Sequence, residues 1–248
     1  MANEARRTGT QLLAAIRANL DESSAAFWTD ANLYKFITRA AHAVATEVRR
    51  LKADYFLISR LSTDGSVTIL GETYATSSFA IVAGTKQYTL PPDLLELKSI
   101  EVITSGYEDV VFHFGKDMNS PEFRGRRTLT TNQSPSLFYA DVVGERTLLL
   151  SHASDTALDL RLWYVSSAVL FDSNGASQLD MSAGTDTLMM PFPGYMAVEE
   201  VATARAQIMD RNDHATVYMA LADQSVARLF GANARQTSDP EYVQGTFE

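Results

Sequence analysis

From Leu61 to Met190 the chain is written in short β-branched and aromatic runs, and on both sides of that stretch the apolar residues fall at helical spacing instead. The runs are 66–70, 78–82, 87–90, 99–104, 110–114, 137–140, 147–150 and 158–165, punctuated by turn pairs such as Asp64-Gly65 and Asn174-Gly175. No helical pattern intervenes between them. A βαβ series is therefore disfavoured, and the stretch predicts an antiparallel β-sandwich or a barrel-like domain.

The flanks predict helices. A short one spans 10–20, and a longer one opens at Trp28 with Thr29 as N-cap. Leu33, Phe36, Ile37, Ala40, Val44, Val48 and Leu51 then form one buried stripe, with His42 at its boundary. After Pro191-Phe192-Pro193-Gly194, helical spacing returns in Tyr195, Val198, Val201, Ala202 and Ile208. A polar break at Asp210, Asn212 and Asp213 precedes a second helix through Val217, Tyr218, Leu221, Val226, Leu229 and Phe230, with Gly231 as its stop. The expected class is α+β. Segments 1–60 and 191–235 build a helical bundle, 61–190 is an inserted β domain, and 236–248 is an extended C-terminal arm. Residues 61 and 190 are expected to lie near each other.

Within the β region, Pro91 and Pro92 lack backbone donors and hold φ near −65°, so the strand over 87–90 must end there. Asp93 follows, and is expected to cap a turn or short helix over 93–96 before the next strand over 97–102.

Composition narrows the function classes. At 248 residues, 46% hydrophobic and 21% charged, the chain is expected to be globular, and the absence of a long apolar run predicts no membrane span or secretory leader. With no cysteine, disulfides, thiolate metal sites and cysteine nucleophiles are excluded. A net charge of −9 argues against a broad phosphate-gripping face. Only residues 1–60 are basic, with 9 Lys and Arg against 6 Asp and Glu; a solvated helix face or a contact for an acidic partner accounts for this.

No motif selects a reaction. Gly84-Thr85-Lys86 does not form a phosphate loop and reads as a turn, and Asp172 to Gly175 places its glycine too early for an EF-hand. His42, His113, His152 and His214 are too scattered to share a metal, and no nucleophile elbow occurs. Neither cofactor nor enzyme activity is expected.

Three segments carry a resemblance: WTDANLYKFITRAAHAVATEVRR, YTLPPDLLELKSIEV and PFPGYMAVEEVATARAQIMDRNDHATVYMALADQ. Together they resemble the head-to-tail adaptor (connector or neck) proteins of tailed bacteriophages. In that family a tryptophan and an acidic residue open a helix, matched by Trp28 and Asp30, and a later tyrosine, leucine, proline, acidic pattern leads into a strand. Tyr88, Leu90, Pro91 and Asp93 fit the latter with one additional proline.

The resemblance implies a virion protein forming a ring, commonly of about twelve copies, between the portal and a downstream tail or nozzle protein. Genomic DNA would pass through its lumen without sequence-specific binding. The C-terminal arm would dock on the portal through Asp239, Pro240, Tyr242, Val243 and Phe247, reaching up to about 45 Å when extended. Arg49 and Arg50 are candidate ring-interface residues, facing acidic groups of a neighbour. Two other readings are a tail nozzle or tubular protein, and a carbohydrate-binding virion module with Tyr107, Phe123 and Phe138 as its platform.

Overall fold

The structure is a computed structural model describing residues 7–22, 27–51, 53–114, 137–190, 194–209, 216–221, 223–225 and 227. Its elements in chain order begin with β1 (Arg7–Thr8), α1 (Gly9–Asn19), α2 (Asp30–Leu51), β2 (Leu57–Leu61), β3 (Ser66–Ile69), β4 (Glu72–Ala75), β5 (Gln87–Thr89) and β6 (Leu94–Val102). They continue with β7 (Val111–His113), β8 (Leu137–Val143), β9 (Thr147–Leu150), β10 (Leu160–Ser166), β11 (Leu170–Phe171), β12 (Ser177–Gln178), β13 (Thr187–Leu188) and α3 (Gly194–Met209). Residues 216–221, 223–225 and 227 are also helical. The class is α+β. Two compact units form, one from Met1–Phe56, Val169–Gly175 and Leu179–Glu248, the other from Leu57–Ala168 and Ala176–Gln178.

In the first unit, α1 begins at Gly9 because Thr8 closes a capping box: its hydroxyl accepts from the Gln11 amide, and the Gln11 side chain accepts from Thr8 N. Gly9 is required there, since a Cβ would stand 2.6 Å from the Ala183 carbonyl oxygen. At the other end, the Arg17 guanidinium donates to Glu22 and to the Trp28 carbonyl and pairs with Asp30, fastening α1 to the start of α2. Thr29 caps α2 through Asn32 N at 3.3 Å, as expected. Leu33, Phe36, Ile37, Ala40, Val44 and Val48 are buried along the expected stripe. His42 sits at its boundary, its Nε2 3.0 Å from the Leu179 carbonyl.

Helix α3 packs on α1 and α2. Its buried face is built from Tyr195, Val198 and the small residues Ala197, Ala202, Ala204 and Ala206; Ile208, expected on that face, is exposed in the last turn. A small antiparallel sheet, β1-β13-β11, completes the unit.

In the second unit, β10 runs antiparallel between β2 and β6. A further sheet has the order β5-β9-β8-β7, and β12 pairs β3, which pairs β4. Phe79, Phe138, Leu148, Leu160, Leu162 and Tyr164 are among its fully buried side chains. The sequence predicts antiparallel pairing throughout, and two pairs depart from it: β7 with β8 and β12 with β3 are parallel. Both parallel pairs are separated by long stretches of chain, which parallel pairing requires.

Two local readings are corrected. The run 78–82 is not a strand: Thr76–Phe79 is a 3-10 turn and only Ile81 bridges to Leu158. The Thr76 hydroxyl donates to the Ser62 and Gly65 carbonyls, a local alternative to a ladder. Likewise no helix follows Asp93, because β6 begins at Leu94. Elsewhere, the β3–β4 hairpin turns through Leu70 (φ 50°) and Gly71 (φ 81°), the left-handed pair that a tight two-residue turn needs.

Candidate functional site

Asp93 immediately precedes β6 rather than a helix. Its side chain is fully buried. One carboxylate oxygen accepts from the Tyr164 hydroxyl at 2.8 Å, the other from the Ser166 hydroxyl at 2.7 Å, and the Arg60 guanidinium stands 3.5 Å away. Arg60 Nε donates to the Tyr164 oxygen at 2.7 Å. The register explains the meeting: Arg60 faces Leu162 and Ile58 faces Tyr164, so Arg60 and Tyr164 share one face on adjacent strands. Burial alone would lower the Arg60 pKa, but Tyr164 and Asp93 outweigh it and the net shift is upward. Burial, with Asp93 beside it, likewise pushes the Tyr164 phenol up. Each member of the cluster has its partners within it, and together they hold the proline corner to β10. It is a buried anchor.

A second polar pair is equally enclosed. Ser151 Oγ lies 3.1 Å from His152 Nδ1, and the His152 ring stacks on Phe138 at 4.6 Å, with Phe112 on the far side of Phe138 at 5.3 Å. Phe138 is therefore core, and cannot belong to a sugar platform as the sequence allowed. Tyr107 packs against the same core, and Phe123 lies outside the described residues. Asp172 to Gly175 is the expected turn, with Asn174 N donating to the Asp172 carboxylate at 2.8 Å. Among the described residues, no group of three or more His, Asp or Glu is placed to hold a metal ion.

Two open surface features lie in the helical unit. A cleft of about 480 Å³ is bounded by α2 (Ala43, Val44, Glu47), α3 (Val201, Arg205) and the last helical stretch (Met219, Asp223, Ala227). Its floor is apolar and its rim carries three charges. Among the described residues, Arg205 and Asp223 have no ion-pair partner, whereas Glu47 pairs with Arg50 at 3.3 Å. Around the same helical stretch, Val217 and Leu221 are exposed and share one surface with Ala220 and Gln224.

Of the two arginines singled out from the sequence, Arg50 has an exposed side chain and Arg49 does not serve the same way. The Arg49 guanidinium lies over the Phe56 ring at 4.6 Å, and burial lowers its pKa. Asp239, Pro240, Tyr242, Val243 and Phe247 lie outside the described residues. Arg205 and Asp223 escaped the sequence reading because nothing in their spacing relates them to Glu47. Among the described residues, no helix is long and apolar enough to cross a membrane.

None of the curated proteins matches the chain. A family model described as SU10 adaptor protein, however, matches residues 7–244, which takes in both units. The chain therefore belongs to the SU10 adaptor protein family.

Proposed function

We propose that this phage structural adaptor is a neck component that assembles into a ring, with about twelve copies by the resemblance, linking the portal to the tail. The observation that carries the reading is the family match over 7–244. The net charge of −9 supports a lumen that repels DNA and lets it slide rather than retaining it. In this reading Met1–Phe56, Val169–Gly175 and Leu179–Glu248 form the ring body around a helical bundle, and Leu57–Ala168 with Ala176–Gln178 is an inserted sandwich or barrel directed outward or toward tail components. The arm, 236–248, docks on the portal through Asp239, Pro240, Tyr242, Val243 and Phe247, by strand addition or by seating its aromatics in apolar pockets.

Deleting 236–248 and measuring association with purified portal rings tests the arm: binding is expected to fall at least tenfold, and unchanged binding contradicts the docking role. A tail nozzle is the second reading. It is favoured by the size of the strand-rich unit, Leu57–Ala168 with Ala176–Gln178, which is more than a compact helical adaptor needs. Localisation in the assembled virion separates the two, since a nozzle lies away from the portal.

A further inference from the structure

The last helical stretch presents two unsatisfied surfaces at once. At about 100° per residue, Val217, Ala220, Leu221 and Gln224 cluster on one side, and Met219, Asp223 and Ala227 on another about a third of a turn away. Tyr218 and Ser225 fall on a third, inward side; Tyr218 donates to the Asn19 carbonyl at 2.9 Å and Ser225 is buried. The first set is a ridge with exposed valine and leucine. The second set forms one wall of the cleft closed by Ala43, Val44 and Val201.

Ridge and cleft wall lie on different sides of the same helical stretch, so they face apart within one molecule. We infer that the ridge of one copy seats in the cleft of the next, making a head-to-tail contact. Such a contact uses two different patches and repeats from copy to copy, so it closes into a ring when the rotation per step allows. Charge selects this occupant over the C-terminal arm. The cleft rim holds Glu47 and Asp223 against Arg205, and the arm brings three more carboxylates, Asp239, Glu241 and Glu248. The ridge side chains are uncharged. Gln224 adds an amide able to accept from Arg205 and donate to Asp223, the two rim charges that lack partners among the described residues. The inference rests on the ring reading and names the surfaces that build it.

The chain has no cysteine, so introduced thiols report cleanly. Leu221→Cys and Ala43→Cys are made separately and mixed as full-length proteins under mild oxidation, with the wild-type mass measured in parallel. The expected product is a disulfide heterodimer formed at least tenfold faster than with the control pair Leu221→Cys and Val111→Cys. The double variant carrying both cysteines is expected to give a ladder of covalent oligomers. If the wild type assembles but the pair crosslinks no faster than the control, the ridge-in-cleft contact is wrong and the ring reading stands. If the wild type remains monomeric and the pair also fails, both fall. Circular dichroism of each variant excludes misfolding as the cause.

Discussion

The Tyr164 hydroxyl donates to the Asp93 carboxylate at 2.8 Å, joining two residues separated by 71 positions in the chain. That bond, with Ser166 and Arg60 beside it, fixes the double-proline corner to β10. Pro91 and Pro92 stop the strand for local steric reasons, and the buried carboxylate then decides where the redirected chain is held.

Replacing Asp93 with asparagine leaves the partly buried Arg60 guanidinium without its counter-charge. The expected loss is about 3 kcal/mol of unfolding free energy, read from urea denaturation. Ser166→Ala removes one donor and is expected to cost about 1 kcal/mol. Equal effects for the two variants contradict an ionic anchor.

Thr8→Ala removes the capping box at α1. A loss of about 1 kcal/mol is expected, with amide exchange rising first over the opening turn of α1. Unchanged exchange there contradicts a role for the capping box in holding the helix start.

Glu199 on α3 faces Arg7 at 3.1 Å, yet burial pushes its carboxyl above the ordinary 4.5, with Arg7 opposing and Glu200 adding to the rise. The folded state holds this proton more tightly than the unfolded chain does. Its contribution is therefore whole below 4.5 and declines as pH rises through the raised value. Glu199→Gln is expected to flatten the fall in stability across that window, measured as urea midpoints against pH; a variant with the wild-type slope contradicts the assignment.

Arg50→Glu is expected to change monomer stability by less than about 1 kcal/mol, because the exposed pair with Glu47 is worth little. Its effect is expected in self-association, weakened at least tenfold by sedimentation. Arg49→Glu should instead destabilise the fold, since it places a carboxylate over Phe56. Full assembly by Arg50→Glu removes that residue from the ring interface.

Legibility followed how local the controlling interactions are. The α2 stripe was readable because six of its apolar residues, from Leu33 to Val48, recur at helical spacing and are buried. Its cap at Thr29 needs only the residue three positions on. By contrast, β2 fell inside a segment read as helical, since Leu57–Leu61 has no alternating burial and becomes a strand only by pairing with β10. Asp93 was read as a cap because its true partners are remote. A signal did exist in Tyr164 and Ser166, which stand two apart on the strand and so turn two hydroxyls to one buried face. The cleft was illegible, because three helical segments each contribute part of it.

The central claim is that the chain acts by assembling copies of itself against a portal. Native mass spectrometry of the purified full-length chain, alone and with portal rings, tests it most directly. A closed homo-oligomer, alone or on the portal, of about twelve copies is the predicted result. A chain that stays monomeric at virion-like concentrations and also fails to bind the portal contradicts the account.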